Sequence, residues 1–415
     1  MPHPRGALRY LLLLLPLLLL GAGNEAGRPS SGPVPAVHIL AAGDEMYRLA
    51  ADGGYESVVQ VFPWRDLQPA RDRWHWQQPD FAVQAAEYYG LGLIVRLDHP
   101  PDWALFHSRD PQEGPIQDLQ DMSGGAGQGE GAGEISPAES VQPRIDLDAY
   151  ADFVAAVARR YRGQVDGYII WNEPNLAREW AGQAPDPESY TALLCRAYTA
   201  IKAVDPAATV ASAGLAPTNG GDGALDDRVY LRAMLEAGAG ACFDVLGSHA
   251  YGFGHPPDDP RGAHDGLNLA RLLDLRDVML ASGGSATPIW ITELGWTTNG
   301  LGADAWQTVT AEQQASYLAA TWQQIKAGWP WVRMVTVWNL SRDLAATDEM
   351  GGYSLLAADG SPRPAYDAMA GLLGRELRGA FRDRNEHLLF LWPKAPQAEI
   401  PILAADEVVH LGDNQ

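Results

Sequence analysis

Short apolar runs alternate with longer amphipathic segments along most of the chain. Eight of these runs are rich in β-branched and aromatic residues and end at polar or turn-forming residues, a pattern typical of buried β-strands. The predicted strands are Val37–Leu40, Ser57–Val61, Gly92–Leu97, Gly167–Trp171, Thr209–Ala213, Asp244–Ser248, Ile289–Thr292 and Met334–Trp338.

The segments between these strands have the periodicity of helices. Several carry end signals: Asp146 or Asp148 can cap one helix, Pro187 opens the next, and Asp205-Pro206 stops it. The predicted helices are Asp44–Asp52, Pro79–Tyr89, Asp146–Arg160, Pro187–Val204, Asp227–Ala237, Leu267–Ala281, Thr310–Ala327 and Pro364–Leu373.

Eight apolar strands, each followed by a helix, predict an α/β fold of the (β/α)8 or TIM barrel type. The alternative is an open doubly wound sheet, but the glycine-rich first turn that is usual in such sheets is missing. We therefore expect one barrel domain over residues 37–373.

Some segments fall outside this alternation. Met122–Gln142 is rich in Gly, Ser, Ala and Glu, which predicts a flexible insertion near residues 119–142. Residues 24–36 are predicted as a linker, and residues 374–415 as a short C-terminal extension whose β-like pieces are too few to form a domain alone.

The first 23 residues are typical of a secretory signal peptide. Arg5 and Arg9 precede the apolar run Leu11–Leu20, and small residues follow it. A membrane anchor is the alternative, but crossing a bilayer takes about 20 apolar residues. We therefore expect a secreted, extracellular protein without stable membrane insertion after the signal is cleaved.

Charge and cysteine content narrow the classes of partner. The chain of 415 residues has a formal net charge of −22, and an acidic surface repels nucleic acids and anionic membranes, so neither is expected as a partner. The two cysteines are Cys195 and Cys242. A disulfide between them is one interpretation, but two buried free thiols are favoured.

Two glutamates end predicted strands. Glu173 lies in Trp171-Asn172-Glu173-Pro174-Asn175, and Glu293 lies in Thr292-Glu293-Leu294-Gly295-Trp296. In a barrel of this kind the C-terminal ends of the strands form the active site. Two carboxylates delivered there from different strands are the equipment that glycosidic bond cleavage requires.

Other polar and aromatic residues follow predicted strands in the same way. They are Trp64, Arg96, Trp103, Asn172, His249, Tyr251 and Trp338. The strand interiors are mostly apolar, so the polar side chains are concentrated where a substrate site is expected. We predict that these residues bind substrate.

These residues resemble clan A of the glycoside hydrolases. The Asn172-Glu173-Pro174 sequence after one strand and Glu293 three units later carry the resemblance, with support from Trp338 and from the Trp64–Trp76 stretch. The chain looks most like bacterial cellulase-like proteins related to families 5 and 39, over roughly Val37–Leu373.

The resemblance implies a retaining β-glycosidase or endo-glycanase that hydrolyses oligo- or polysaccharides without a cofactor. Glu293 would be the nucleophile and Glu173 the general acid/base. Asn172 would bind the sugar 2-hydroxyl, Tyr251 would hydrogen-bond the nucleophile, and Trp338 would form the floor of the central sugar subsite. Because two close carboxylates cannot both ionise easily, we expect one of them to stay protonated.

One departure from the family pattern concerns an arginine. Clan members often place one near the end of the second strand, where this chain has Val58-Val59-Gln60. Arg96 on the third strand is a candidate to supply that charge to the nucleophile. The alternative is a buried structural pair between Arg96 and Asp98.

Two other function classes remain as alternatives. A non-catalytic carbohydrate-binding barrel is one, although the presence of both glutamates and Asn172 speaks against it. A metal-dependent hydrolase is the other, with candidate ligands His38, His99, His249 and His264. Such sites usually have His-x-His pairs on one strand, and the sequence contains none, so no metal is expected.

Overall fold

The computed structural model describes residues 32–40, 43–107, 143–342, 344 and 349–384. Within these ranges the chain forms ten strands: β1 Val34–Ile39, β2 Ser57–Val61, β3 Gly92–Leu97, β4 Leu105–His107, β5 Pro143–Ile145, β6 Gly167–Ile170, β7 Thr209–Ser212, β8 Leu246–His249, β9 Ile289–Leu294 and β10 Val332–Leu340.

Eight of these strands form one parallel sheet. Its order is β7-β6-β3-β2-β1-β10-β9-β8, and the parallel bridge between Ala211 and Val245 joins its two ends. The remaining pair, β4 and β5, is a short antiparallel ribbon. The sheet closes on itself with helices between its strands, so the predicted (β/α)8 barrel is confirmed.

The same ranges contain ten α-helices. Eight of them are the predicted ones, and α2 and α9 are short additions within loops. The helices are α1 Asp44–Asp52, α2 Trp64–Leu67, α3 Gln77–Tyr88, α4 Leu147–Arg160, α5 Pro187–Val204, α6 Asp227–Glu236, α7 Arg271–Ala281, α8 Ala311–Gly328, α9 Glu349–Tyr353 and α10 Pro364–Arg384.

Side-chain caps explain several helix starts. The Asp146 carboxylate accepts a hydrogen bond from the Ala149 N–H, and that of Asp186 accepts from the N–H groups of Glu188 and Ser189. Each bond satisfies a donor that has no partner inside the helix. The predicted start at Asp146 is therefore confirmed, with Asp146 itself as the cap.

The barrel interior is filled by one apolar residue from or beside each strand. The layer consists of Ala36, Val59, Ile94, Ile169, Ala211, Val245 and Met334, with Trp290 packed against it. Gly167 makes room for that indole, because a Cβ built there would lie 2.8 Å from the Trp290 ring. A larger apolar cluster lies between the strands and the helices.

Domain boundaries differ from the predicted ones by a few residues. β1 begins at Val34, so the last three residues of the predicted linker 24–36 belong to the barrel. At the other end, α10 runs to Arg384, past the predicted boundary between 373 and 374. The predicted signal peptide 1–23 and insertion 119–142 lie outside the described residues.

The prediction of two free thiols is wrong. Cys195 on α5 and Cys242 form a disulfide. The sequence placed one in a helix and the other ahead of a strand, but it did not show that α5 packs beside the turn before Cys242, which brings the two Cα atoms to 4.8 Å.

Across the described ranges, we find no helix with the length and apolar character needed to cross a bilayer.

Candidate active site

The two predicted glutamates meet at the C-terminal ends of the barrel strands. Glu173 follows β6, and Glu293 lies near the end of β9 beside His249 of β8. All three side chains are buried. One carboxylate oxygen of each glutamate and one ring nitrogen of His249 all lie within 4.8 Å of one another. Carboxyl groups from two distant sequence segments therefore share one small volume.

The backbone at Glu173 has an uncommon conformation. Trp171 and Glu173 both have positive φ, at 76° and 36°. Non-glycine residues rarely adopt this region, and functional sites are where such residues concentrate. The Glu173 N–H donates to the Gly214 carbonyl at 3.0 Å, which ties the loop after β6 to the end of β7.

His249 lies between the two carboxylates. Its Nδ1 is 2.9 Å from Glu173 Oε1 and 3.5 Å from Glu293 Oε2. A protonated imidazole here attracts both negative charges at once. The sequence predicted His249 as a substrate-binding residue, whereas the structure also places it in direct contact with the acid pair.

Glu293 is held by two donors besides His249. Arg96 Nη1 donates to Oε1 at 2.8 Å, and the Tyr251 hydroxyl donates to Oε2 at 2.6 Å. Both bonds fix the orientation of the Glu293 side chain. The sequence-based expectation that Tyr251 hydrogen-bonds Glu293 agrees with this contact.

Arg96 fulfils both alternatives that the sequence left open. Its Nε lies 2.8 Å from Asp98 Oδ2, while its Nη1 contacts Glu293 and donates to Asn172 Oδ1 at 2.9 Å. Arg96 is two residues after Ile94, which belongs to the interior layer, so its side chain also points into the barrel. A buried cation thus links β3 to the ends of β6 and β9.

Asn172 is held from its other side by a residue that sequence reasoning missed. Its Nδ2 donates to Glu179 Oε2 at 3.2 Å, and the Trp171 Nε1 donates to the Glu179 carbonyl at 2.8 Å. Glu179 lies in a short 3-10 turn, Ala177–Glu179. Glu179 lies only six residues after Glu173, and this short spacing could have indicated that Glu179 is near the site.

The pKa shifts differ from the expectation that one glutamate stays protonated. Burial alone would raise the pKa of Glu173, but the hydrogen bond from His249 and the charges of His249, Arg178 and Arg96 outweigh it and lower that pKa. Burial likewise opposes the charged form of His249, yet Glu293 and Glu173 raise its pKa. These directions favour a proton on His249 over one on Glu173 in the free site.

Two neighbouring groups are shifted towards their neutral forms. Burial, followed by the charge of Glu173, raises the pKa of Glu179. Burial, followed by the charge of Glu293, raises the pKa of Tyr251 well above its ordinary value. Tyr251 therefore remains a hydrogen-bond donor to Glu293 at any physiological pH.

Gly214 is a second residue that sequence reasoning missed. A Cβ built on it would lie 2.1 Å from His249 Cδ2 and 2.5 Å from Thr292 Oγ1. The absence of a side chain therefore allows His249 to lie where it reaches Glu173. Gly214 follows a strand that predicted no site residue, and its constraint comes from β8 and β9, so the local sequence carried no signal.

The predicted aromatic residues are not all at the site. Trp338 is half-buried, with its ring 4.7 Å from that of His38, and it remains a candidate for the sugar floor. The prediction that Trp64 binds substrate is wrong. Trp64 is fully buried, stacks on Phe153 and donates to Gln68, so it presents no surface to a substrate. Its position after a strand gave no information on which way the ring points.

Trp103 is less buried than Trp64 but already has polar partners. It is half-buried, donates through Nε1 to the Gln68 carbonyl at 3.0 Å, and has the Arg71 guanidinium over its ring at 4.7 Å. Substrate binding by Trp103 stays a prediction. Farther out, Trp306 is 49% exposed and stacks on Phe253.

Glu173, His249 and Glu293 are spaced closely enough to hold a metal ion. Their donor atoms, however, already engage one another, Arg96 and Tyr251. A bound cation would face the Arg96 guanidinium at close range, so this donor set suits an ion-pair cluster better than a metal. Of the other histidines considered from sequence, His38 packs on Trp338 and His264 stacks on His255.

No protein-family model matches the chain, and no curated protein matches it in sequence. Solved structures do match in fold. A family 39 glycoside hydrolase from the gut symbiont Bacteroides cellulosilyticus WH2 has a TM-score of 0.60 at 20% identity, over 83% of this chain and 64% of that one. The chain thus spans less than two thirds of the length of that protein.

Two further structures extend the comparison. A GH39 β-xylosidase from Caulobacter crescentus has a TM-score of 0.53 at 16% identity, over 83% of this chain and 72% of that one. A GH5_18 protein from Streptomyces cattleya, solved with Manβ1-4GlcNAc, has a TM-score of 0.55 at 18% identity, over 83% and 81%. At these identities the likeness shows a shared barrel fold.

Proposed function

We propose that this chain is a secreted, retaining glycoside hydrolase that cleaves β-linked O-glycosidic bonds in oligo- or polysaccharides. One observation carries the proposal: a carboxylate oxygen of Glu173 lies within 4.8 Å of a carboxylate oxygen of Glu293 at the strand ends of a barrel. Retaining enzymes need their two carboxyl groups about 5–5.5 Å apart, whereas inverting enzymes need a wider gap for water.

The surroundings of the two glutamates support different roles. Glu293 accepts hydrogen bonds from Arg96 and Tyr251, which fix the orientation of its carboxylate, as a nucleophile requires. Glu173 Oε1 lies 2.9 Å from His249 Nδ1, the atom to which we assign the shared proton. Transfer along that hydrogen bond makes Glu173 the acid.

In the first step, a Glu293 oxygen attacks the anomeric carbon and the bond to the leaving oxygen breaks. The leaving oxygen takes the proton of Glu173. Esterification removes the negative charge of Glu293, and delivery of the proton leaves His249 neutral and Glu173 ionised, so that Glu173 can act as a base. In the second step Glu173 takes a proton from water, the water oxygen attacks the anomeric carbon, and the ester bond to Glu293 breaks. Return of that proton from Glu173 to His249 restores the free site.

Two further residues fit the binding of a sugar in this site. Asn172 is fixed between Arg96 and Glu179, so its amide is preorganised. A hydrogen bond from it to the 2-hydroxyl would strengthen as the oxocarbenium-like transition state forms. Trp338 offers a partly exposed ring on which a sugar face can pack.

Four other features of the chain fit the proposed function. The leading segment 1–23 supports secretion, and the disulfide between Cys195 and Cys242 suits an oxidising compartment. The net charge of −22 disfavours nucleic acid as a partner. The resemblance in fold to family 39 and GH5_18 proteins supports the same reaction class.

The test is a panel of aryl β-glycosides with soluble β-glucan, xylan and mannan. We expect wild type to turn over at least one member and to release the β-anomer first, as seen by NMR. Glu173→Gln and Glu293→Gln should both lose turnover of natural substrates, and only Glu173→Gln should keep activity on glycosides with good leaving groups. Glu236→Gln, an exposed change on α6, is the matched control.

Two results would contradict the proposal. Turnover that survives Glu293→Gln would remove the nucleophile. No turnover of any panel member by wild type, together with measurable glycan binding, would favour a carbohydrate-binding barrel without catalysis.

A further inference from the structure

Arg178 is a cation at the entrance of the site that the proposed reaction does not use. Its side chain is 74% exposed, and its Nη2 lies 3.4 Å from Glu173 Oε2. Its Nε lies 3.6 Å from Glu179 Oε1. Arg96, by contrast, is buried and engaged with three partners.

We propose that Arg178 binds a carboxylate on the leaving group, so that the substrate carries an acidic unit, such as a uronic acid, next to the bond that is cleaved. The inference rests on the proposed function, because it takes Glu173 as the acid. It names the chemistry of the leaving group, which neither the barrel fold nor the two glutamates specify.

The position of Arg178 relative to the Glu173 oxygens points to the leaving group. Oε1 faces the buried His249, and Oε2 faces Arg178 and the solvent side. The leaving oxygen must approach Glu173 from the open side. A group attached to that oxygen therefore comes within reach of the exposed guanidinium.

The backbone at Arg178 is fixed while its side chain is exposed. The N–H of Ala177 donates to the Gly223 carbonyl at 2.7 Å, and the Glu179 carbonyl accepts from Trp171 Nε1 at 2.8 Å. These bonds hold the turn Ala177–Glu179 in place on both sides of Arg178. A guanidinium on a fixed base can turn towards a ligand without disturbing the loop.

Protonation of Glu173 makes the guanidinium available. When Glu173 carries the proton that it will deliver, Arg178 loses that charge partner and faces Glu179. Burial also raises the pKa of Glu179, which weakens its competition for the guanidinium. The planar fork of arginine then matches an incoming carboxylate with two parallel hydrogen bonds.

The overall charge of the protein makes this cation selective. A chain with 52 acidic and 30 basic residues repels anionic ligands over most of its surface. A local cation beside the leaving-group position offsets that repulsion at one point only. A substrate whose negative charge lies far from the leaving-group position is not attracted by Arg178.

The test compares two leaving groups on one sugar, chosen from the panel as a glycoside that wild type turns over. One leaving group is 4-carboxyphenyl and the other its methyl ester, and kcat/KM is measured for both. The ratio of the two values is then compared between wild type and Arg178→Gln, so that intrinsic leaving ability cancels. Arg178→Lys keeps the charge, and Arg196→Gln on α5 removes a different exposed ion pair.

We expect Arg178→Gln to lower the carboxylate-to-ester ratio about fivefold, the effect of an ion pair near the surface. Arg178→Lys should keep part of the preference, and Arg196→Gln all of it. Added salt should reduce the wild-type ratio.

An equal loss of kcat/KM on both substrates in Arg178→Gln, which leaves the ratio unchanged, would overturn the inference. The methyl ester would still report the glycosidase reaction in that case. No turnover of any panel glycoside by wild type would instead overturn the proposed function.

Discussion

Arg96 on β3 and Glu293 on β9 form a buried ion pair of 2.8 Å across the C-terminal end of the barrel, although 197 residues separate them. The same guanidinium pairs with Asp98 at 2.8 Å. Its removal leaves two buried carboxylates without their cation. The pair thus joins the stability of the barrel to the orientation of the proposed nucleophile.

Changing Arg96 to Met should separate these two contributions. We expect Arg96→Met to lower the free energy of unfolding by about 3–5 kcal/mol, since a buried charge loses its partner. Activity should fall as well. The double variant Arg96→Met/Asp98→Asn should regain part of the stability in denaturant unfolding, but none of the activity. Recovery of both would mean that Arg96 serves the structure alone.

Tyr251 offers a test with little effect on packing. Tyr251→Phe removes the hydroxyl that donates to Glu293 Oε2 at 2.6 Å. A hydrogen bond to a charged group contributes about 1.5–3 kcal/mol, so kcat should fall about 10- to 100-fold. Tyr353→Phe, whose ring lies 5.3 Å from that of Tyr251, is the control and should lose much less. Equal effects would argue against the hydrogen bond as the cause.

The ion pair of His249 with Glu173 should make stability depend on pH. The folded pKa of His249 is raised above its ordinary 6.5, so its contribution is fully present below about pH 6.5 and is lost as pH rises through the folded pKa. The folded pKa of Glu173 is lowered from 4.5, so its contribution is present above pH 4.5 and is lost on acidification.

We therefore expect wild type to exceed His249→Gln in unfolding free energy most between about pH 4.5 and 6.5, with the difference shrinking at higher pH. The groups that face His249 here are Glu173, Glu293 and Arg96. Denaturant unfolding at several pH values measures the difference. A gap that stays constant from pH 5 to 9 would show that His249 is not charged in the folded protein. The alkaline limb of kcat/KM should likewise lie above 6.5.

Gly214 provides a test of how closely His249 must be placed. In Gly214→Ala the new Cβ meets His249 and Thr292 at distances that require the ring to move. We expect a loss of about 1–3 kcal/mol in stability from overpacking and a larger fractional loss of activity than of folded protein. Gly328→Ala at the end of α8, where nothing lies within 4 Å, is the matched control and should be neutral or stabilising.

The disulfide should contribute to stability without affecting the chemistry. It closes a loop of 47 residues, so the double variant Cys195→Ser/Cys242→Ser should lose about 3–4 kcal/mol in unfolding free energy. At 25 °C the folded variant should keep the wild-type kcat. Denaturant unfolding with and without reductant checks the first expectation, since reduced wild type should match the variant.

The sequence predicted the barrel because each of its elements carries its own local signal. Buried parallel strands are short and apolar, and Asp146 caps its helix from the adjacent position. The two glutamates were also predictable, since each directly follows or ends such a strand. Contacts that depend on several strands at once were not: the three partners of Arg96 and the space that Gly214 leaves for His249 arise only when the sheet closes.

The errors have the same origin. Trp64 follows β2 as a substrate-binding residue would, but its ring turns inward onto Phe153. The sequence indicated two close carboxylates and hence a shared proton. It did not show that His249 would lie between them and take that proton instead. Side-chain direction and the third partner of a charge pair are properties of the assembled barrel.

The disulfide also has a consequence for where the molecule opens. β7 and β8 meet at the isolated bridge Ala211–Val245, and Cys195 and Cys242 tie together the segments that lead into those two strands. Reduction frees this seam, so the amides of Val210 and Ser212 should exchange with solvent sooner than those of β2. A mild reductant in the buffer would then act as a local probe of this seam, while the opposite side of the barrel stays closed.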